Sequence, residues 1–210
     1  MIDSGRTAAA APGAGAGAGA ADRGVRRALD AAAAAELRFG SIEPAHRASI
    51  ERMLRETGFF RDAEICVALD VIDAFFQHPD RDYSAVGAFT PGGDLIGYVC
   101  YGPTPCTNGT FDLYWIAVGR AAQRTGVGTL LLKEMERRLA TMDARLVLIE
   151  TSSQPLYAPT RAFYERRGYR EVARVPGFYD DGDDRVIFAK RIRHPSRQGA
   201  DRSWTSGKTS

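Results

Sequence analysis

Gln123-Arg124-Thr125-Gly126-Val127-Gly128 stands between an aromatic and β-branched run, FDLYWIAV (111–118), and a stretch of helical periodicity. Glycines just ahead of a helix suit phosphate, because small residues let backbone N–H groups crowd against an anion at the positive end of the helix dipole. Three cradles compete. A Walker loop needs Lys after its last glycine, and Thr129-Leu130 stand there. A dinucleotide fingerprint needs its first glycine at the strand end and a third glycine after the second. Here Gly126 follows Val118 by eight residues and Leu131 takes the third position, although Glu150 lies at about the distance of a ribose-binding acid. The pattern Q/R-x-x-G-x-G/A fits at every fixed position and would hold a pyrophosphate. Taken alone, it is equally a flexible loop before an ordinary helix.

Carboxylates offer base chemistry. Glu150 ends the otherwise apolar run LVLIE (146–150). In a partly dry cleft its pKa would be raised and it would serve as a general base; otherwise it reaches solvent or a backbone amide. Asp112 is the second choice, since strand alternation puts Asp112, Tyr114, Ile116 and Val118 on one face, and a solvent-facing carboxylate suits that position as well. Cys66, Cys100 and Cys106 are odd in number and widely spaced without a CxxC, and His46, His78 and His194 are scattered. The pattern predicts a reducing compartment, with no disulfide framework and no metal.

The elements that position these residues follow from periodicity. Residues 37–42 (LRFGSI) predict a short strand. Ile50, Met53 and Leu54 mark a helix over 46–57 that ends at Gly58, and Ile65, Leu69, Ile72 and Phe76 mark a second one with Asp62 as N-cap. Strands follow at 83–89 and 94–102 around the turn TPGG, then at 111–118. Val127, Leu131, Met135, Leu139 and Met142 form one helical stripe. LVLIET (146–151), a helix at 160–169 and strands at 170–175 and 185–192 around DDGDD complete the chain. The order β α α β β β α β α β β predicts an α/β fold, with a mixed, mostly antiparallel sheet of about seven strands and four helices.

FDLYWIAV, the glycine loop, LIET and FYERRGY together resemble the Gcn5-related N-acetyltransferase (GNAT) superfamily, over roughly Leu37 to Ile192. Its two specific anchors are the Gln123–Gly128 loop and Tyr164-Glu165-Arg166-Arg167-Gly168-Tyr169. The resemblance implies the acyl-CoA N-acyltransferase fold and an acetyl-CoA pyrophosphate in the loop, held by Gln123, Arg124, Thr125, Gly126, Val127, Gly128 and Thr129. It implies a bulge that splays two strands, so that backbone N–H groups near Ile116, Ala117 and Val118 face the thioester. Tyr164 would protonate the departing thiolate, with Glu150, Asp112 or water as base. Many relatives carry Asn seven residues before the motif tyrosine and Ala four before it. Here Tyr157 and Thr160 stand there, and Tyr157 would offer its hydroxyl to the cofactor arm. Relatives shape the acceptor site with segments that correspond to Phe59, Phe60 and Tyr179. The activity implied is acetyl transfer from acetyl-CoA to a primary amine: a peptide N-terminus, an amino acid or a small amine. The alternative is a non-catalytic acyl-CoA-binding module.

Composition limits the remaining choices. Residues 1–35 are an Ala/Gly-rich tail with little to bury and 193–210 a polar one, both expected to be disordered, which leaves one domain over 36–192. Of the net charge of +2, the last twenty residues carry four Arg and one Lys against one Asp, and the first 35 carry four Arg against three Asp. The core is therefore acidic by three charges, which argues against nucleic acid. Without a leader or a membrane-length apolar run, the expectation is a cytoplasmic monomer or homodimer.

Overall fold

The computed structural model describes residues 37–192. Both tails expected to be disordered lie outside the described residues. The elements are β1 (Arg38–Gly40), α1 (Arg47–Thr57), α2 (Asp62–Gln77), β2 (Ser84–Phe89), β3 (Leu95–Pro103), β4 (Thr110–Val118), α3 (Val127–Thr141), β5 (Leu146–Ser152), α4 (Ala158–Glu165), β6 (Arg170–Asp180) and β7 (Asp183–Arg191). The strands form one sheet in the order β1-β2-β3-β4-β5-β7-β6. Every pair is antiparallel except β4 with β5, which α3 connects. This is the mixed α/β sheet of seven strands and four helices that the periodicity predicts.

Helices cover both faces. Ile50, Leu54, Ile65, Leu69 and Ile72 of α1 and α2 pack on Ala85, Tyr98, Cys100, Trp115 and Ala117. Leu131 and Met135 of α3 and Phe163 and Tyr164 of α4 pack on Val99, Leu113, Ile116, Ile149 and Phe188. α1 stops where expected, at Gly58 with φ +68. Asp62 is the first residue of α2 and not its cap. Arg61 caps the helix, and Glu64 accepts the Arg61 N–H at 2.8 Å. In α2 Phe76 packs partly buried against the core as its spacing predicts, and Phe75 beside it is buried as well. The α3 stripe holds through Leu139, but the helix ends at Thr141 and leaves Met142 49% exposed.

Two irregularities correct the strand reading. Cys100 pairs with Trp115 and Tyr101 with Leu113, so Tyr114 is an extra, bulged residue of β4. A bulge reverses alternation beyond it. Ile116 and Val118 therefore join Phe111 and Leu113 under α3, while Trp115 and Ala117 face α1 and α2. Asp112 is on the face opposite Ile116 and Val118, and the four residues expected on one face are divided.

The second irregularity lies in β6, which continues past residue 175. Val175 pairs with Arg185 and Asp180 with Asp183, so Pro176–Tyr179 bulge out of the ladder. Gly177 turns at φ +59 and donates its N–H to Asp184 Oδ1 at 3.0 Å. The turn is only Asp181-Gly182, with Gly182 at φ +77. Most of the stretch between the two expected strands, 176–184, is therefore strand.

Candidate active site

Gly126 caps α3 at φ +96, and no side chain caps that helix. A Cβ at Gly126 would meet open space, so glycine is required here by its dihedral and not by crowding. The N–H groups of Thr129 and Leu130 return to the Gly126 carbonyl at 2.9 and 3.1 Å. The N–H groups ahead of them point out of the helix end, as in any uncapped first turn. The loop's own polar side chains turn inward. Gln123 Nε2 donates to the Val118 carbonyl at 3.1 Å and Thr125 Oγ1 to the Ala122 carbonyl at 2.7 Å. Arg124 is exposed at φ +68, and Val127 is core.

Thr129 is tied to α4. The Arg167 guanidinium donates to Thr129 Oγ1 through Nε at 3.1 Å and to the Phe163 carbonyl at 3.0 Å, and lies 3.8 Å over the Phe163 ring. Thr129, Lys133, Glu136, Arg166, Arg167 and Lys190 line a groove of about 530 Å³ beside the helix N-terminus. Glu136 neutralises Lys190, with both oxygens at 2.8 Å, and also accepts the Tyr169 hydroxyl at 3.0 Å. The groove keeps a cationic excess.

β4 and β5 pair only from Thr110–Leu146 to Leu113–Ile149. Beyond that point β4 stays with β3 through Val118 and β5 stays with β7 through Ser152. Ile116–Val118 and Glu150–Ser152 thus border an opening that no ladder closes. On its α3/α4 side are three buried hydroxyls without a partner among the described residues: Thr151, Thr160 and Tyr164. The Tyr164 ring packs on Phe163, Tyr169 and Phe188, and burial drives its pKa well above the tyrosine range. Each unpaired buried hydroxyl costs about 1–3 kcal/mol. A polar chain entering between the strands would relieve them.

Glu150, Asp112 and Arg185 meet on the opposite face. Glu150 is 7% exposed and forms an ion pair through Oε1 with Arg185 Nη2. Asp112 accepts from Thr104 Oγ1 at 2.7 Å. Burial raises the Asp112 pKa, which Thr104 and the Arg185 charge partly offset. Burial lowers the Arg185 pKa, and the Asp112 charge opposes that. The guanidinium lies 4.7 Å from the centre of the exposed Phe178 ring. The sequence leaves Glu150 open between a partly dry cleft and a strand end in solvent; the side chain is buried, and Arg185 accompanies it.

Tyr157 turns towards this side. Its hydroxyl donates to the Phe59 carbonyl at 3.4 Å and its ring centre is 6.2 Å from that of Phe59. Its pKa is pushed up to about 12 by burial and then by the Glu64 charge. Tyr179 is likewise pushed up to about 12, by burial, Asp183 and Tyr157. Tyr157, Phe59 and Tyr179 therefore gather in one wall, and the Tyr157 hydroxyl is committed to the α1–α2 loop. Phe60 packs against the core beneath α1 and α2. Asp183, within a run of acids that resembles a solvated hairpin tip, is buried and accepts from Ser152 Oγ, Ser153 N–H and Gln154 Nε2.

Four residues escape sequence reasoning: Arg185, Asp183, Thr151 and Thr160. Arg185 opens a strand like any surface arginine, and four aspartates flanking Gly182 conceal which one points inward. Only Thr160 carried a signal, as a departure from a family position.

The chain matches the acetyltransferase (GNAT) family over residues 47–169. It is 39% identical to a Desulfovibrio desulfuricans protein described as an acetyltransferase of the GNAT family, with TM-score 0.70, covering 75% of this chain and 98% of that one. It is 30% identical over 100 residues to an uncharacterized N-acetyltransferase of Methanocaldococcus jannaschii, a match that spans 47% of this chain and 61% of that relative. An aminoglycoside 6'-N-acetyltransferase complexed with coenzyme A shares the fold at TM-score 0.59 and 18% identity, covering 74% of this chain and 97% of that one. With this match over more than half of its length, the chain belongs to the acetyltransferase (GNAT) family.

Proposed function

We propose that this protein is an N-acetyltransferase that moves an acetyl group from acetyl-CoA to a primary amine. The observation that carries this reading is the opening between β4 and β5. It has unpartnered hydroxyls of Thr151, Thr160 and Tyr164 on one side and Glu150, Asp112 and Arg185 on the other. Acetyl-CoA supplies the activated acyl group. The first-turn N–H groups of α3, at the positive end of its dipole, suit the pyrophosphate. Lys133, Arg166 and Arg167 in the adjoining groove suit further anionic groups of the same molecule. The unpartnered hydroxyls of Thr151 and Thr160 suit its polar arm. The coenzyme A complex of a fold neighbour supports this reading.

The amine is deprotonated by Glu150, directly or through water, with Asp112 as second choice. Its nitrogen attacks the thioester carbon; a C–N bond forms, the C–S bond breaks, and the nitrogen releases its second proton to water, from which Tyr164 is later reprotonated. β5-facing N–H groups near Ile116–Val118 steady the developing oxyanion. Tyr164 gives the leaving sulfur a proton, and burial, which raises the pKa of its hydroxyl, favours the protonated form before transfer.

The test is thiol release from acetyl-CoA with a panel of amines, read together with the mass of the acetylated product. One thiol per acetylated amine is expected. Tight acetyl-CoA binding without turnover would make the chain a non-catalytic acyl-CoA-binding module. Calorimetric binding of NAD or ADP, but not acetyl-CoA, would return the loop to a dinucleotide.

A further inference from the structure

Arg185 and Glu150 satisfy each other only at one end. Glu150 sits on β5 and Arg185 on β7, two positions out of register on the same side of neighbouring antiparallel strands. Arg185 Nη2 meets Glu150 Oε1, while Arg185 Nε and Glu150 Oε2 are both buried and have no partner among the described residues. One donor and one acceptor are thus left in a single ion pair. A buried polar atom left unpaired carries a substantial penalty.

Three features limit what can satisfy them. Glu150 Oε2 needs an N–H donor and Arg185 Nε needs an oxygen acceptor, so the complement carries both within a few bonds. The site also carries excess negative charge, since two carboxylates, Glu150 and Asp112, surround the Arg185 guanidinium. One ammonium neutralises it. Finally, Phe178 lies over Arg185 at 4.7 Å and is 47% exposed, with Tyr179 edge-on to it at 4.9 Å, which gives the site an aromatic rim.

We infer that the acceptor is an α-amine with an uncharged carbonyl on the adjacent carbon, the group presented by a peptide N-terminus. This rests on the acetyltransferase reading above. The ammonium donates to Glu150 Oε2, and the carbonyl accepts from Arg185 Nε. An alkyl amine, polyamine or aminosugar can meet the carboxylate but leaves Arg185 Nε unpaired. A free amino acid meets both atoms, but its carboxylate brings back the negative charge that its ammonium removes. The residue bearing the α-amine projects its side chain towards Phe178 and Tyr179.

The test compares kcat/KM of the full chain for matched acceptors that differ only in the carboxamide: tyrosinamide against tyramine, and alaninamide against ethylamine. Rates are taken at equal concentrations of unprotonated amine, so that differences in amine pKa cancel. At least a tenfold preference for each amide is expected, the lower range of the penalty for an unpaired buried donor. Arg185→Gln should bring both ratios towards one; if that variant does not fold, the ratios of the unaltered chain decide. Turnover with tyramine and ethylamine as fast as with the amides overturns the inference and leaves acetyl transfer standing. Tyrosine outpacing tyrosinamide overturns the uncharged carbonyl. Acetyl-CoA binding with no acetylated amine in the panel overturns the acetyltransferase reading, and this inference with it.

Discussion

Asp183 Oδ1 accepts the Ser152 hydroxyl at 2.5 Å, and the same carboxylate takes the Ser153 N–H at 3.2 Å and Gln154 Nε2 at 3.0 Å. One buried side chain of β7 thus holds the turn that carries the chain from β5 into α4, and so positions Glu150 and Tyr164 relative to each other. Asp183→Ala strands three donors, and urea unfolding should report a loss of about 2–4 kcal/mol. Asp183→Asn keeps an acceptor for Ser152 and should lose roughly half as much. Equal stability of Asp183→Ala and the parent would mean that water replaces the carboxylate without cost.

Gly126 and Gly128 should respond differently to a methyl group. At Gly126 the space is open, but φ is +96, where an L-residue is strained by about 1–2 kcal/mol. At Gly128 a Cβ would meet Val118 and Phe163 at 3.6–3.7 Å, which is ordinary contact. Gly126→Ala should weaken acetyl-CoA binding about tenfold by calorimetry, because the loop relaxes away from the helix end. Gly128→Ala should fold as well as the parent. A reversed order of affinities would mean that crowding, and not the dihedral, governs the loop.

Two carboxylates should leave opposite marks on the pH dependence of stability. Arg137, with Arg138, holds Glu134 down at about 2, so its contribution is complete above the unfolded pKa and disappears as pH falls towards 2. Glu134→Gln should therefore destabilise at neutral pH, by about 0.5–1 kcal/mol because both pairs remain near water, and converge with the parent in strong acid. Asp112 is raised chiefly by burial, so its penalty on folding sets in as pH rises through the unfolded pKa and is complete above the folded one. Asp112→Asn should melt higher than the parent at pH 7 and match it below about pH 4. Melting curves across pH check both, and parallel shifts of the same sign would contradict the assignment of cause.

Much of the fold was legible because periodicity reports which face is buried: Ile50, Leu54, Leu131, Met135 and Leu139 are where their spacing predicts. The divided fate of Asp112 and Ile116 was not legible. One inserted residue, Tyr114, reverses the alternation, and nothing in FDLYWIAV marks which aromatic is the extra one. The partner of Glu150 was hidden for a different reason. An ion pair between strands depends on a register set by the whole hairpin, and Arg185 lies thirty-five positions away in sequence. The glycine loop and Tyr164 could be found because their meaning is local.

Tyr164 and Glu150 make the sharpest pair of predictions, because their defects should differ in kind. Tyr164→Phe removes a hydroxyl that has no partner among the described residues and leaves a ring already packed on Phe163, Tyr169 and Phe188. Stability should therefore hold or rise slightly, since a buried unpaired group is lost. Acetyl-CoA affinity should change little, and turnover should fall about 10- to 1,000-fold, the scale of one acid–base group. The loss should shrink with acyl donors whose thiol leaves without protonation. Glu150→Gln keeps the volume but gives up the charge opposite Arg185. Its turnover should fall most near neutral pH and recover in part as pH rises, because more amine then arrives unprotonated. The recovery should begin earlier for amines of lower pKa. A Glu150→Gln enzyme with the parent's pH profile would move the base to Asp112 or to water. A fully active Tyr164→Phe enzyme would reduce the tyrosine to packing.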